Sequence, residues 1–337
     1  MIITDYIQFR PALISDCDDI MKFISSNVNK NHILAINKSF FLYEYADGDS
    51  LNVLLAVEKN SGSLVGIYCF YLYSQTDTGG DFAGGISQVS SECKIPLIGT
   101  TLYEKLKEFF CVRSIVSVGM NRNTSFEINR RRNDTYLGSL NHFYMLSGSG
   151  QYKIALIKEE HIPSVTEPFQ QKLSLYEDVN QMYGIFDENR FRDRLPYKSR
   201  KYIEHRYFNH PIYKYHMYGM GDDLVLVCRE VDANGGKALR IVDVLGDASL
   251  IRHSGKALMG LMKDNGYEYI DFMEFGMDEA DILAAGFTKL ELTGANIIPN
   301  YFEPFVQKNI EVLCCASLQP ALIFKADADQ DRPSIIR

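Results

Sequence analysis

A chain of 337 residues is more than twice the usual size of one domain, so two units are expected, each large enough to bury its own core. Hydrophobic residues make up 46% and charged residues 23% of the chain, which excludes a disordered segment, and 21 Tyr with 20 Phe supply much of the packing area. The formal charge of −8 argues against a nucleic-acid backbone as the main partner, because such binding needs clustered Lys and Arg to displace counterions.

The first half opens with an alternating strand, Tyr6 to Arg10, and the Asp16-Cys17-Asp18-Asp19 cluster caps an amphipathic helix to about Val28. Asn52 to Glu58 and Ser63 to Tyr73 flank Lys59-Asn60-Ser61-Gly62, a hairpin signal between two apolar strands. A Gly-rich stretch from Thr78 to Gly85 precedes a strand at Ile86 to Ser90, a helix at Thr100 to Phe110 and a strand at Ser114 to Val118.

A linker near Glu160 to Pro168 and a polar helical stretch, Lys198 to Phe208, lead into the second half. There Tyr215 to Met220 and Leu224 to Glu230 form a hairpin across Gly221-Asp222-Asp223, and Asn234-Gly235-Gly236 turns the chain into a strand, Ala238 to Leu245. A helix from Ser249 to Lys263, a strand from Tyr267 to Phe272, a short helix from Glu279 to Ala285 and a strand from Lys289 to Leu292 complete the unit. The order of elements repeats between the halves. The expectation is an α/β chain of α+β layers in two modules, 1–155 and 156–337, each a mixed, mostly antiparallel sheet flanked by helices.

Each half places a strand before a helix, and a helix N-terminus leaves backbone N–H groups free to hold a phosphate. In the first half Lys94-Ile95-Pro96-Leu97-Ile98-Gly99 enters a helix started by Thr100. In the second, Arg252-His253-Ser254-Gly255-Lys256-Ala257 lies at or just inside a helix start. Ser254-Gly255-Lys256-Ala257 lacks the upstream Gly and the final Ser or Thr of a phosphate-binding P-loop.

With the closing Gly286-Phe287, this succession resembles the GNAT acyl-CoA N-acyltransferases, whose loop pattern is Q/R-x-x-G-x-G/A. Arg252, Gly255 and Ala257 match that pattern letter for letter, whereas Lys94 and Gly99 match it with Leu97 where the first Gly is expected. Pro96 and Gly99 make the first loop irregular where free N–H groups are needed, so the first module is favoured for coenzyme A. The resemblance implies acyl-CoA as co-substrate, held by Ser91, Lys94, Leu97, Ile98, Gly99, Thr100 and Asn121.

Longer segments resemble GNAT-like proteins encoded with surface-polysaccharide enzymes, among them His32-Ile-Leu-Ala-Ile, Asn141-His142-Phe143-Tyr144, Arg206 to Tyr213 and Ile298 to Phe305. That resemblance implies N-acylation, with acetyl or a 3-hydroxyacyl group, of a nucleotide-linked amino sugar such as a 3-amino-3,6-dideoxyhexose. Acid catalysis in the family often falls to a Tyr; Gly119-Met120-Asn121 aligns so that Ile128 stands near that position, a departure from the pattern.

Amide formation needs a neutral amine, a donor to the oxyanion and a proton path. His142, between Asn141 and Tyr144, is a candidate base or a hydrogen-bonded strand histidine. Asp271 and Glu274 follow an apolar strand; if it ends at Phe272, Glu274 lies in a loop as a base for the sugar ammonium or a solvated carboxylate. Arg206, His210 and Tyr213 form a cluster for a diphosphate or for packing between modules, and the resemblance of Arg240-Ile-Val-Asp243 implies Asp243 as a further substrate-binding residue. Asn300, Tyr301 and Glu303, between Pro299 and Pro304, suit a sugar or base, or staple aromatics onto the core.

The seven cysteines are scattered with no C-x-x-C pair or His-bearing metal spacing, so reduced thiols and no metal are expected. MIITDYIQFR lacks a basic region followed by an apolar one, and no stretch reaches about 18 apolar residues, so the expectation is a cytoplasmic protein without a membrane span, a homodimer being open. Arg130-Arg131-Arg132 reads as a solvated face or a phosphate patch. Two other readings stay open: aminoacyl transfer from tRNA, which the acidic balance disfavours, and a non-catalytic CoA- or sugar-binding double module, which the missing Tyr fits.

Overall fold

The structure is a computed structural model describing residues 3–334. It is built on two eight-stranded sheets, seven strands of each forming a continuous order, with Ala46–Asp47 pairing onto Ser50–Glu58 of the first and Ile323–Phe324 onto Tyr269–Phe275 of the second. Along the first run Ile7–Leu13, Ser50–Glu58, Leu64–Thr76, Gly79–Val89, Val112–Val118, Leu313–Ala316 and Tyr136–Ser139. Along the second run Thr288–Lys289, Asn141–Leu146, Tyr269–Phe275, Gly236–Gly246, Leu224–Ala233, Tyr215–Met220 and Ser174–Tyr176.

The central strands read as unbroken apolar runs because both of their faces are covered. In Ser50–Glu58, Leu54 and Ala56 pack on Ile98, Leu102 and Leu106 of the helix Ile98–Phe109. Leu51, Val53 and Leu55 turn the other way, into a cluster that includes Val225, Val227 and Val242 of the second sheet. One apolar core therefore joins the two sheets.

Two strands cross between the sheets. Asn141–Leu146 pairs antiparallel with Tyr269–Phe275 in the second sheet, and Leu313–Ala316 lies between Val112–Val118 and Tyr136–Ser139 in the first. Each sheet also has one parallel pair flanking a strand–helix–strand unit: Gly79–Val89 with Val112–Val118, and Gly236–Gly246 with Tyr269–Phe275.

Several expected elements change. The strand expected at Ile86 starts earlier and takes in the Gly-rich stretch before it, as Gly79–Val89. Its glycines answer to crowding: a Cβ on Gly84 would lie 2.6 Å from the Tyr68 hydroxyl and 2.7 Å from Ser117 Oγ. The helix expected from Ser249 is a 3-10 turn, Ala248–His253, then an α-helix, Gly255–Asn265, broken where Ser254 Oγ bonds back to the Ile251 carbonyl. Lys198 to Phe208 is a short α-helix, Arg200–Ile203, running into a π-turn, Glu204–Phe208. The strand at Lys289 shrinks to Thr288–Lys289, and Tyr301–Phe302 with Phe305–Val306 makes a small hairpin of the Pro299 to Pro304 segment. The strand holding Asp271 runs on to Phe275, which puts Glu274 in the sheet and not in a loop.

Candidate active site

In the first sheet the parallel pairing runs from Gly80↔Val112 to Gly84↔Ser117 and then stops. Gly79–Val89 continues, paired among the described residues only on its far edge, where Ile67 faces Gln88 and Gly66 faces Val89. The edge from Gly85 to Val89 therefore opens a wedge whose mouth leads to the helix Ile98–Phe109.

That helix begins without a side-chain cap. Its first internal bond is from the Thr101 N–H to the Leu97 carbonyl, 2.9 Å, and the amides of Ile98, Gly99 and Thr100 have no acceptor among the described residues. Leu97 stands just before them at φ 66°, ψ 7°, the left-handed region, with its side chain 71% exposed. A leucine there stores strain of about 1 kcal/mol, which is the reason the corresponding position of the loop pattern favours Gly. Lys94 donates to the Ser91 carbonyl at 3.2 Å, and both lie exposed in the loop that leads into the helix. Asn121 is placed apart from them, past the end of Val112–Val118, where its Oδ1 accepts from the Asn123 N–H at 2.9 Å. Ile128 is exposed on the short helix Ser125–Arg130.

The second junction is closed at both levels. Ile323–Phe324 pairs with Glu274 and Phe275, the Ala326 N–H donates to the Val242 carbonyl at 2.8 Å, and the C-terminal segment thereby fills the gap beyond the last parallel pair, Ile241↔Phe272. At the helix start, Gln170 Oε1 accepts the Lys256 N–H at 2.9 Å, and a Cβ on Gly255 would lie 2.2 Å from the Ala285 carbonyl oxygen. Arg252 is paired with Asp281 at 2.8 Å.

Beside the first wedge stands a file of hydroxyls. A Cβ on Gly85 would lie 3.2 Å from both the Tyr45 hydroxyl and the Tyr71 ring. The Tyr45 and Tyr71 hydroxyls are 3.2 Å apart, and Tyr71 donates to Glu44 Oε2 at 2.8 Å. Burial pushes both phenols well above their ordinary value, so each stays protonated. Glu44 and Tyr71 also line an open cavity of about 760 Å³ between the helix Lys38–Tyr45 and residues 199–209. No motif marks these residues in the sequence. The only signal is Gly85, whose missing side chain makes room for them.

The residues expected to act as bases lie in the second sheet, deep and engaged. His142 Nε2 is 3.0 Å from Asp271, whose carboxylate also takes three contacts from Arg240 at 2.7–3.2 Å. Burial alone would raise Asp271, but the Arg240 charge and the bonds from His142 and Arg240 hold it below the usual carboxylate value; burial lowers His142. Glu274 accepts from the Met277 N–H and from Asn141, and burial raises it.

The expected acceptor residues form the inner wall between the halves. Arg206 donates to the Tyr215 hydroxyl and the Asp331 carbonyl, His210 Nδ1 accepts from the Ile212 and Tyr213 amides, and Tyr213 stacks on His210 with Arg229 above its ring. Asp243 pairs with Lys198, which bridges to Asp327. Asn300 takes an Arg240 bond on its carbonyl, Tyr301 donates to Gln330 Oε1 at 3.2 Å, and Glu303 accepts from the Ser334 amide. Thus His142, Asp271, Asn300 and Tyr301 gather around Arg240 and Lys325, while Arg206, His210 and Tyr213 gather around Asp331. Lys325 Nζ lies 4.4 Å over the Tyr301 ring with no hydrogen-bond partner among the described residues, and burial followed by the Arg240 charge pushes its amine down to about 7. Arg130 and Arg132 pair with Glu127 and Glu104; Arg130 is exposed, whereas Arg132 packs over the Tyr103 ring and is largely covered.

Among solved structures, a GCN5-related N-acetyltransferase from Anabaena variabilis superposes with TM-score 0.54 over 91% of this chain and 72% of its own, at 10% identity. The fold is that of the GCN5-related N-acetyltransferases. An Enterococcus faecalis protein of unknown function, called a probable N-acyltransferase, shares that fold at TM-score 0.51, 8% identity, covering 91% of this chain and 71% of that one. No protein-family model and no curated protein matches the chain. In the GCN5-related fold of this chain, the position of the loop pattern's first glycine carries the left-handed backbone although it is occupied by Leu97. No helix among the described residues is long and apolar enough to cross a membrane.

Proposed function

We propose that the chain is an acyl-CoA-dependent N-acyltransferase with one coenzyme A site, in the wedge of the first sheet, acting on the amine of a nucleotide-linked amino-deoxy sugar. The observation that carries this reading is the difference between the two junctions: an open strand edge and uncapped helix amides in the first, a filled gap and capped amides in the second. Pyrophosphate suits the Ile98, Gly99 and Thr100 amides with Lys94 adding charge, and the pantetheine arm would pair along the Gly85 to Val89 edge as a strand does.

The acyl carbonyl then lies by Gly85, where a backbone N–H of that strand edge would hold the developing oxyanion. The amine gives up its ammonium proton to Glu44, attacks the carbonyl carbon and forms the C–N bond. The C–S bond breaks, and the departing thiolate takes a proton from Tyr45, which Tyr71 resupplies as the nitrogen loses its second proton along the same file. No covalent enzyme intermediate is needed. The acyl group, acetyl or 3-hydroxyacyl, and the amino-sugar acceptor follow from the resemblance of Arg206 to Tyr213 and Ile298 to Phe305 to surface-polysaccharide proteins.

Incubation with a panel of acyl-CoAs and nucleotide-linked 3- or 4-amino sugars, following free thiol, tests the reading. Thiol released only when both substrates are present is expected. Tight CoA binding with no thiol from any pair would make the chain a binding module, and no CoA binding would overturn both.

A further inference from the structure

We infer that the C-terminal segment closes the acyl end of the first-sheet wedge, and that Gln330 with Asp329 selects a short acyl chain bearing a hydroxyl. The inference rests on the N-acyltransferase reading and deepens it: it assigns a donor-selecting residue that no motif marks and decides between the acyl groups that reading leaves open.

Three observations carry it. The first is the path of the segment. Asp327 accepts from the Tyr73 hydroxyl at 2.7 Å and the Ala328 N–H donates to the same oxygen at 2.9 Å, which ties the chain to the first sheet. From there the Asp329 charge acts on Tyr45, Cys69 and Tyr71. These are the groups around Gly85, whose Cβ would lie 3.2 Å from Tyr45 and Tyr71 and 3.4 Å from the Cys69 carbonyl. Gln330 then reaches the opposite lip. A Cβ on Gly119, the residue after Val112–Val118, would lie 2.0 Å from Gln330 Nε2 and 2.6 Å from its Oε1. The segment therefore crosses the wedge from one lip to the other, on the side where Gly85 meets the two phenols. Its neighbours Val118 and Ala328 are packed into the joint core, so a long chain would have to displace them.

The second is the hydrogen bonding of the amide. Gln330 Oε1 accepts from the Tyr301 hydroxyl at 3.2 Å, which leaves Nε2 turned to Asp329 Oδ1 at 3.4 Å, beyond the usual N–H···O range. A primary amide carries two N–H donors, and this long contact serves neither well. Asp329 Oδ2 is held by Arg332 at 2.8 Å, whereas Oδ1 has only the long contact among the described residues. A hydroxyl placed between them accepts from Nε2 and donates to Oδ1. A methylene in the same place leaves both unpaired.

The third is that this pair is fixed yet within reach. Arg332 lies 2.7 Å from His32 Nε2 and so holds Asp329 from an anchor in the first half. The Asp329 side chain is 12% exposed and Gln330 is half-buried. A side chain at Gly119 would push the amide aside, which gives the Gly119-Met120-Asn121 segment a task apart from holding coenzyme A.

The probes are acetyl-, butanoyl-, octanoyl- and 3-hydroxybutanoyl-CoA, compared by thiol release with a dTDP-linked 3-amino-3,6-dideoxyhexose and by direct titration without acceptor. The preferred enantiomer of 3-hydroxybutanoyl-CoA should exceed butanoyl-CoA at least about tenfold in kcat/KM and in affinity, because a site built to bond a hydroxyl rejects the analogue without it. Octanoyl-CoA should be the poorest donor. Gln330→Met, of similar size, should bring the hydroxybutanoyl-to-butanoyl ratio close to one, and Tyr301→Phe, which frees the amide, should lower it in part. Thiol release in which the wild type ignores the hydroxyl, takes octanoyl-CoA equally well, or keeps its preference in Gln330→Met would overturn this inference while the transferase reading stands. If no donor releases thiol, transfer fails instead, and the titration still decides the pocket: tighter binding of the hydroxyacyl-CoA that Gln330→Met abolishes supports it, and equal or absent binding overturns it.

Discussion

At Leu97 a single backbone angle carries more information than the residue type. The Lys94 to Gly99 segment matches its loop pattern poorly because Leu stands for Gly, yet the chain adopts the backbone a Gly would, and the side chain projects into solvent. Propensity alone could not reveal that, since left-handed leucine is set by the helix start and the loop together. Leu97→Gly should therefore stabilise the protein by about 1 kcal/mol, because the lost side chain buries little and the strain is relieved. Urea unfolding checks it. A midpoint lowered by the change would show that the left-handed backbone at this position is not a source of strain.

The readable elements were those with local pattern. The hairpin strand Tyr215–Met220 is visible from its turn residues and apolar run alone, and it ends where expected. The strand Gly79–Val89 was half hidden, because its glycines answer to Tyr68 and Ser117, residues on neighbouring strands that no local window contains. Glu274 lies in the sheet for a related reason: its strand is prolonged past Phe272 by Ile323–Phe324, which arrives from far along the chain. The candidate site was legible at its phosphate end, where strand, loop and helix are contiguous, and silent at Tyr45 and Tyr71, which meet only in three dimensions. Gly84→Ala should destabilise the protein by about 1–3 kcal/mol through overpacking against the Tyr68 hydroxyl. Adding Tyr68→Phe should recover part of that loss in the same unfolding experiment. Equal loss with and without Tyr68→Phe would place the clash elsewhere.

Across the whole molecule, the C-terminal segment is the tie. Asp327 holds Lys198 and Tyr73, Asp331 holds Arg229 and Tyr215, and the exchanged strands lace one sheet to the other. Asp331→Asn should destabilise the fold by about 3–5 kcal/mol, since it leaves Arg229 and Arg206 buried with less compensation. Burial alone would raise Asp331, but the Arg229 charge and hydrogen bonds and the Arg206 charge hold it far below its ordinary 3.8. A depressed carboxylate contributes stability above its unfolded value, and that stability is lost as pH falls from about 3.8 toward the folded value. Wild-type unfolding free energy should accordingly drop more steeply below pH 3.8 than that of Asp331→Asn; parallel curves would contradict the assignment.

The central claim is one coenzyme A site per chain, at the first junction. Calorimetric titration with acetyl-CoA tests it through two glutamates placed at the two helices. A Cβ at Gly99 meets only Val89 at 3.6 Å and one at Gly260 meets nothing within 4 Å, so the fold accommodates both Gly99→Glu and Gly260→Glu. The account predicts one acetyl-CoA per wild-type chain, affinity lowered at least about tenfold by the negative charge of Gly99→Glu at the free amides, and no change with Gly260→Glu. Two sites per chain, or an affinity that follows Gly260→Glu and ignores Gly99→Glu, would contradict it.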